Sequence, residues 1–147
     1  MNPNIQDNID ALVIVLRKEC KAAAMMEQLI RQKQQAFIKW HSGDLEIVVA
    51  EEEGILTTMA LLEKERIALI KLLSRNQPKL LTMKDILSLY PNRELFAAYN
   101  ELKDISSRVI RYNNQNRHLV QSSLSFVRKT MGFITGNFRY KLLDQKV

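Results

Sequence analysis

The chain has 147 residues, which is enough for one domain and short for two. Hydrophobic residues make up 46% and charged residues 26%, values close to the globular average that exclude a wholly disordered chain. Four Gly and three Pro are too few for the frequent turns of a β-sandwich or barrel, so we expect an all-α protein.

The net charge of +6 is unevenly distributed along the chain. Residues 1–107 contain 14 Lys or Arg and 15 Asp or Glu, whereas residues 108–147 contain 8 Lys or Arg and a single acid, Asp144. The excess positive charge therefore lies in the last quarter. Such a segment favours an acidic protein partner, nucleic acid or an anionic membrane surface.

A long first helix is predicted from Asn4 or Asp7, either of which can cap it, to about His41. Apolar residues recur at intervals of seven, which places them on one helical face as in a coiled coil. These residues are Ile9, Leu16, Ala23, Ile30 and Phe37. Cys20, the single cysteine, excludes a disulfide framework and is expected to be a small apolar residue on this helix.

A short connection at Ser42–Leu45 follows, with Gly43 expected to end the first helix. So short a connection makes the next helix an antiparallel neighbour. That second helix is predicted from about Leu45 to Ser74, again with a seven-residue apolar repeat: Val48, Ile55, Leu62 and Leu69. Gly54, in mid-helix, either permits close approach of the first helix or is simply tolerated at a cost of about 1 kcal/mol.

Pro78 interrupts the pattern, and Thr82–Asp85 resembles a capping box that opens a short helix to about Tyr90. We expect this short helix to pack over the end of the other helices. A third long helix should begin near Pro91–Arg93 and end at Thr135–Asn137. Two rows of residues recur every seven positions along it: Leu95, Leu102, Val109, Asn116 and Ser123, and Ala98, Ile105, Tyr112, Leu119 and Phe126.

The predicted architecture is an elongated antiparallel three-helix bundle, coiled-coil-like, with a short extra helix between the second and third long helices. Residues 1–134 would form a single helical domain, and residues 135–147 a flexible, basic and apolar tail. With no signal-peptide pattern and no window of 18 apolar residues, we expect a soluble, cytoplasmic protein.

Motifs of catalysis and metal binding are absent from the sequence. No phosphate-binding, dinucleotide-binding, HExxH or GxSxG motif occurs. His41 and His118 lack a second ligand at helical spacing, and Glu51–Glu53 are expected to form a solvated acidic first turn. We therefore expect no enzyme activity, no cofactor, no metal and no small-molecule substrate.

The basic, apolar end of the third long helix has several interpretations. Up to about Val127 its wide apolar face fits a helix that packs on two neighbours. Beyond that point the other helices have ended, and an uncovered apolar strip usually marks a binding surface. A basic nucleic-acid-binding module, a membrane-surface helix and a self-associating structural coiled coil remain alternatives.

Several segments together resemble the FlgN-type flagellar export chaperones. The first is Phe37–Leu45, with its Ser-Gly-Asp-Leu sequence, followed by Glu51–Glu53 and Leu61–Arg66. Another is the Asn-rich segment Asn113–Leu119, which precedes an amphipathic C-terminal helix. The similarity extends from about Asn8 to Gly136. Near the end the chain departs from the family pattern, since Tyr140 is followed by Lys141 rather than Gly.

The resemblance implies a cytoplasmic chaperone of the flagellar type III export system. Such a chaperone binds the unfolded C-terminal regions of hook-associated proteins, prevents their premature assembly and delivers them to an export gate component at the membrane. No nucleic acid partner is expected. In the family the C-terminal helix carries much of the client binding, which points here to Leu119, Val120, Leu124, Phe126, Val127, Met131 and Ile134.

Overall fold

A computed structural model describes residues 3–39 and 42–135 of the chain. These residues form four helices: α1 (Pro3–Ile38), α2 (Ser42–Leu73), α3 (Met83–Leu89) and α4 (Arg93–Thr135). No strand occurs within those two ranges, and the predicted all-α class is confirmed. His41 and the predicted tail from Gly136 onward lie outside the described residues.

The first and last residues of α1 both differ from the sequence predictions. This helix begins at Pro3, so that Asn4 and Asp7 lie inside its first turns instead of capping it. Proline suits that position, because the backbone N–H it lacks would have no helical partner there. Gly43 does not end α1, which stops at Ile38; Gly43 lies in the first turn of α2.

The α1 helix is the central element, since it packs along both α2 and α4. Two ion pairs join it to α2: Lys33–Glu52 at 3.5 Å and Glu19–Arg66 at 2.9 Å. The higher-numbered residue of α1 pairs with the lower-numbered residue of α2, so the two helices are antiparallel, as the short connection predicted.

By contrast, α4 runs parallel to α1. The thiol of Cys20 donates a hydrogen bond to the carbonyl of Ala98 at 3.4 Å, and further along both helices the Asn116 Nδ2 donates to the carbonyl of Ile30 at 2.9 Å. Residue numbers therefore rise together along the pair. An up–down–up order of the long helices follows.

Two faces of α1 are buried. The first contains the predicted seven-residue repeat, of which Ile9, Leu16, Ala23 and Ile30 are buried. The second was not predicted and consists of smaller side chains that are also buried: Val15, Ala22, Leu29 and Ala36. A helix between two neighbours needs both faces, and small residues such as alanine allow close packing on the second.

The core is densest at the end of the molecule where α1 begins. Its largest fully buried side chains are Ile9, Leu12, Leu16, Ile86 and Leu95. Ile86 belongs to α3, so the prediction that the short helix packs over the end of the long helices is confirmed. The predicted start of the third long helix is also confirmed: α4 begins at Arg93, and the backbone N–H of Leu95 donates to the Asn92 Oδ1 at 3.0 Å, which makes Asn92 the N-cap.

The α2 helix is apolar around most of its circumference. Val48, Leu62, Ile70 and Leu73 are buried. Six other large apolar side chains are exposed: Ile47, Val49, Leu56, Leu61, Ile67 and Leu72. The suggested close approach at Gly54 is wrong, because a Cβ placed there meets nothing within 4 Å. The glycine is tolerated, and α2 presents apolar surface that α1 alone does not cover.

Candidate protein-interaction surface

The end of α4 extends beyond its neighbour α1. Asn116 lies level with Ile30, eight residues before α1 ends at Ile38, whereas α4 continues for nineteen residues to Thr135. About eleven residues of α4, roughly 16 Å at 1.5 Å per residue, therefore lie past the end of α1.

Two of the seven predicted binding residues have described side chains, Leu119 and Val120, and both are half-buried. With Phe37 and Leu45 they line a cavity of about 30 Å³ at the connection between α1 and α2. At this level residues of all three long helices line one cavity.

The other five predicted residues are Leu124, Phe126, Val127, Met131 and Ile134, and all of them lie within α4. Their side chains fall outside the described part of the structure. The predicted client-binding set therefore stays a prediction at these positions.

A buried polar contact marks the level at which the apolar pattern of α4 is interrupted. Asn116 is 6% exposed, and its Nδ2 reaches the carbonyl of Ile30. The Asn116 Oδ1 is buried and has no hydrogen-bond partner among the described residues. The Asn-rich segment thus includes one residue that fixes α4 against α1.

Side chains of α4 form charged and cation–π contacts with α1. The Arg108 Nε donates to the Glu27 Oε2 at 2.6 Å, and this bond raises the pKa of the Arg108 guanidinium. The Tyr112 ring centre lies 4.9 Å from the guanidinium of Arg31 on α1 and 5.4 Å from that of Arg111 on α4 itself. The Glu27–Arg108 and Arg31–Tyr112 contacts stabilise the parallel pair by ion pairing and cation–π attraction.

A groove between α2 and α4 was missed by the sequence reasoning. It has a volume of about 490 Å³ and is lined by Leu56, Met59 and Ala60 from α2 and by Leu102 and Ser106 from α4. Glu19, Glu63 and Arg66 also line it. The exposed apolar residues of α2 were visible in the sequence, but their position beside α4 depends on how the helices are rotated.

Burial raises the pKa of the Glu19 carboxyl, and the nearby Glu63 carboxylate adds to that effect. Arg66 opposes both, because its Nε donates to the two carboxylate oxygens at 2.9 and 3.2 Å. The desolvation of Glu19 between the helices outweighs the attraction of one guanidinium.

Within residues 3–39 and 42–135, none of the helices is both long and apolar enough to cross a bilayer. Within the same residues, no three His, Cys, Asp or Glu side chains lie close enough together to hold a metal ion.

Exposed apolar helix surfaces beside charged side chains are typical of a helical protein that binds other proteins. A comparison with family models matches residues 1–140 to the model described as FlgN protein. The chain therefore belongs to the FlgN family, a family of flagellar chaperones, and the resemblance seen in the sequence is confirmed. No match was found among curated proteins or among solved structures.

Proposed function

We propose that this protein is a cytoplasmic, non-enzymatic export chaperone of the flagellar type III secretion system. It binds the C-terminal regions of hook-associated proteins and delivers them to an export gate component at the membrane. Its three long helices act as one elongated bundle, with α3 closing one end. Membership of the FlgN family supports the chaperone role in general.

The end of α4 is the observation that carries this proposal. Roughly eleven residues of the helix extend past the end of α1, and the sequence of this segment contains Phe126, Val127, Met131 and Ile134. An isolated helical turn is marginally stable in water and gains stability when its apolar face is covered. A client helix that packs on this segment supplies that cover.

The physical basis of chaperoning is the replacement of a missing helix. The termini of client proteins that pair as coiled coils after assembly expose an apolar stripe before they assemble. The α4 segment covers such a stripe with anchors at i, i+3 or i+4, and i+7. Basic residues in residues 108–147 speed the encounter with acidic client residues.

The client-binding residues are proposed to be Leu119, Val120, Leu124, Phe126, Val127, Met131 and Ile134. Leu119 and Val120 line the cavity at the connection between α1 and α2, and their proposed role is to form the inner edge of this surface. Residues 135–147 are proposed to be a separate tail, and residues 1–134 a single domain.

Truncation tests the proposal. A chain that ends at Ser122 should keep the helical circular dichroism of the remaining residues, because the α1–α4 contacts up to Asn116 are retained. It should lose co-purification with the cognate hook-associated protein. A chain that ends at Thr135 lacks only the proposed tail and serves as the matched control, with binding retained.

Full binding by the Ser122 truncation would contradict the proposal and place the site elsewhere. Two alternatives are tested on the same preparations. A nucleic-acid-binding module would bind DNA with a steep salt dependence. A structural coiled coil would associate with itself, which light scattering on the client-free protein detects.

A further inference from the structure

The α2 and α4 helices both pack on α1, but they do not pack along each other within the described residues. They meet in one core cluster, to which α2 contributes Ile70 and Leu73 and α4 contributes Leu95 and Ala98. Beyond that cluster the two helices leave the groove of about 490 Å³ described above. The long helices thus surround an open position where a fourth helix would lie.

The shape of the groove fits a helix. Its α2 wall runs from Leu56 to Arg66, about 15 Å or three helical turns. The side chains of Ala60 and Ser106 are small, which lets a helix backbone approach closely, and Leu56 is 54% exposed at one end of the wall. Apolar anchors of an incoming helix at i, i+4 and i+7 cover about 10.5 Å, or two turns, of this wall.

The charge of the groove selects the kind of helix. Its ionisable lining consists of two acids, Glu19 and Glu63, and one base, Arg66. Arg66 binds Glu19, and Glu63 forms no ion pair with another described residue. A lysine or arginine on the incoming helix would therefore complement Glu63 and relieve its repulsion of Glu19.

A second copy of the chain fits less well. A symmetric dimer brings the same surface of each protomer together, so Glu63 would face an equally acidic groove. Repulsion between like charges disfavours that contact.

We propose that the groove between α2 and α4 is a second docking site of this chaperone, for an amphipathic client helix that carries a lysine or arginine beside its apolar stripe. The identity of the client rests on the proposed function. The groove extends client contact from the end of α4 down the side of the molecule.

Two pairs of variants test the docking site in the full-length chain. Ala60→Trp fills the groove, and its control Ala50→Trp places the same side chain at another exposed position of α2. Glu63→Lys reverses the groove charge, and its control Glu65→Lys makes the same change on the side of α2 that faces Ala11 and Ile14. The probe is a fluorescently labelled peptide spanning the C-terminal region of the cognate hook-associated protein.

The expected result in fluorescence anisotropy is that Ala60→Trp and Glu63→Lys each weaken peptide binding about tenfold, while the two controls bind as the unmodified chain does. Changing the responsible lysine or arginine of the peptide to glutamate should restore binding to Glu63→Lys. Circular dichroism should show equal helicity in all four variants, because the four substituted positions are exposed.

Equal peptide binding by the groove variants and their controls would overturn the inference of a second docking site. The proposed function would still stand in that case if truncation at Ser122 abolishes client binding. An unmodified chain that binds no hook-associated peptide would overturn the proposed function itself. If light scattering shows a dimer that Ala60→Trp dissociates, the occupant is a second copy and the proposal of a client helix is wrong.

Discussion

Gly54 lies in the middle of α2, where glycine costs backbone entropy and offers no contact in return. A Cβ at this position meets no atom within 4 Å. The substitution Gly54→Ala should therefore raise the free energy of unfolding by about 1 kcal/mol. Urea denaturation, monitored by circular dichroism, measures this free energy of unfolding.

Gly43→Ala is the matched control, since that site is equally open but lies in the first turn of α2, where the gain should be smaller. A lower midpoint for Gly54→Ala than for the unmodified chain would contradict the assignment of Gly54 as a tolerated residue.

The effect of burying Glu19 on stability can be tested through its dependence on pH. Its pKa in the folded protein is raised, chiefly by burial, so ionising it costs stability as pH rises through that value. Glu19→Gln mimics the protonated form and can still accept a hydrogen bond from Arg66. The variant should unfold at a higher temperature than the unmodified chain at neutral pH.

This difference in melting temperature should shrink as the pH falls below the ordinary pKa of glutamate, since both proteins are then uncharged at this position. The measurement is a series of thermal melts between acidic and neutral pH. A lower melting temperature for Glu19→Gln than for the unmodified chain at neutral pH would mean that the Arg66 ion pair outweighs the desolvation of Glu19.

Single residues also show where sequence reasoning stops. Cys20 is buried, as predicted for a small apolar residue on α1. Asn116 and Asn92 have the same side chain, yet one is buried against the Ile30 carbonyl and the other caps α4. The seven-residue row that contains Leu95 and Leu102 places Asn116 on the packed face of α4. The hydrogen-bond partner of Asn116 could not be predicted, because it lies on another helix.

At the scale of elements, the α3 helix depends on its capping box. The Thr82 hydroxyl accepts from the Asp85 N–H at 3.1 Å, and the Asp85 Oδ2 accepts from the Thr82 N–H at 2.9 Å. Thr82→Ala removes the first of these bonds and should cost about 1 kcal/mol of stability. The loss affects the whole molecule, because Ile86 of α3 is part of the core.

Ser88→Ala serves as the control for the cap, since Ser88 is exposed near the end of the same short helix. Chemical denaturation of both variants compares the two sites. Equal midpoints would mean that α3 is held by Ile86 alone and that the cap adds nothing measurable.

The helices themselves were predictable, whereas their rotations were not. The seven-residue repeat in α1 indicates a helix and one buried face. It does not reveal the second face, because Ala22 and Ala36 favour a helix whether they are buried or exposed. In α2 the seven-residue repeat indicates the packed side, since Val48 and Leu62 are buried and Ile55 and Leu69 half-buried. The side that borders the groove is not indicated, because further apolar residues lie all around the helix.

At the scale of the whole molecule, the core is uneven. The fully buried large side chains lie where α1 begins, and the second core cluster, Cys20, Ala23 and Ile105, is smaller. Hydrogen exchange should therefore be slowest around Leu12 and Leu95. Amides near Lys33 and Val48 should exchange at least about tenfold faster, because fewer buried contacts oppose local opening there.

Native-state exchange followed by mass spectrometry measures these rates. The Ser122 truncation should leave the slow amides unchanged, since it removes nothing from the larger cluster. Uniform protection along α1 would show instead that the three long helices open as one unit.

The parallel arrangement of α1 and α4 has a consequence for synthesis on the ribosome. The Glu19–Arg66 pair joins residues 47 apart in sequence, whereas Glu27 and Arg108 are 81 apart. The antiparallel hairpin of α1 and α2 can thus close on the nascent chain well before α4 has been translated. During that interval Ile9, Leu16 and Ala23 lack the partner that later covers them, so the unfinished chaperone itself displays a bare apolar stripe of the kind it is proposed to shield in its clients.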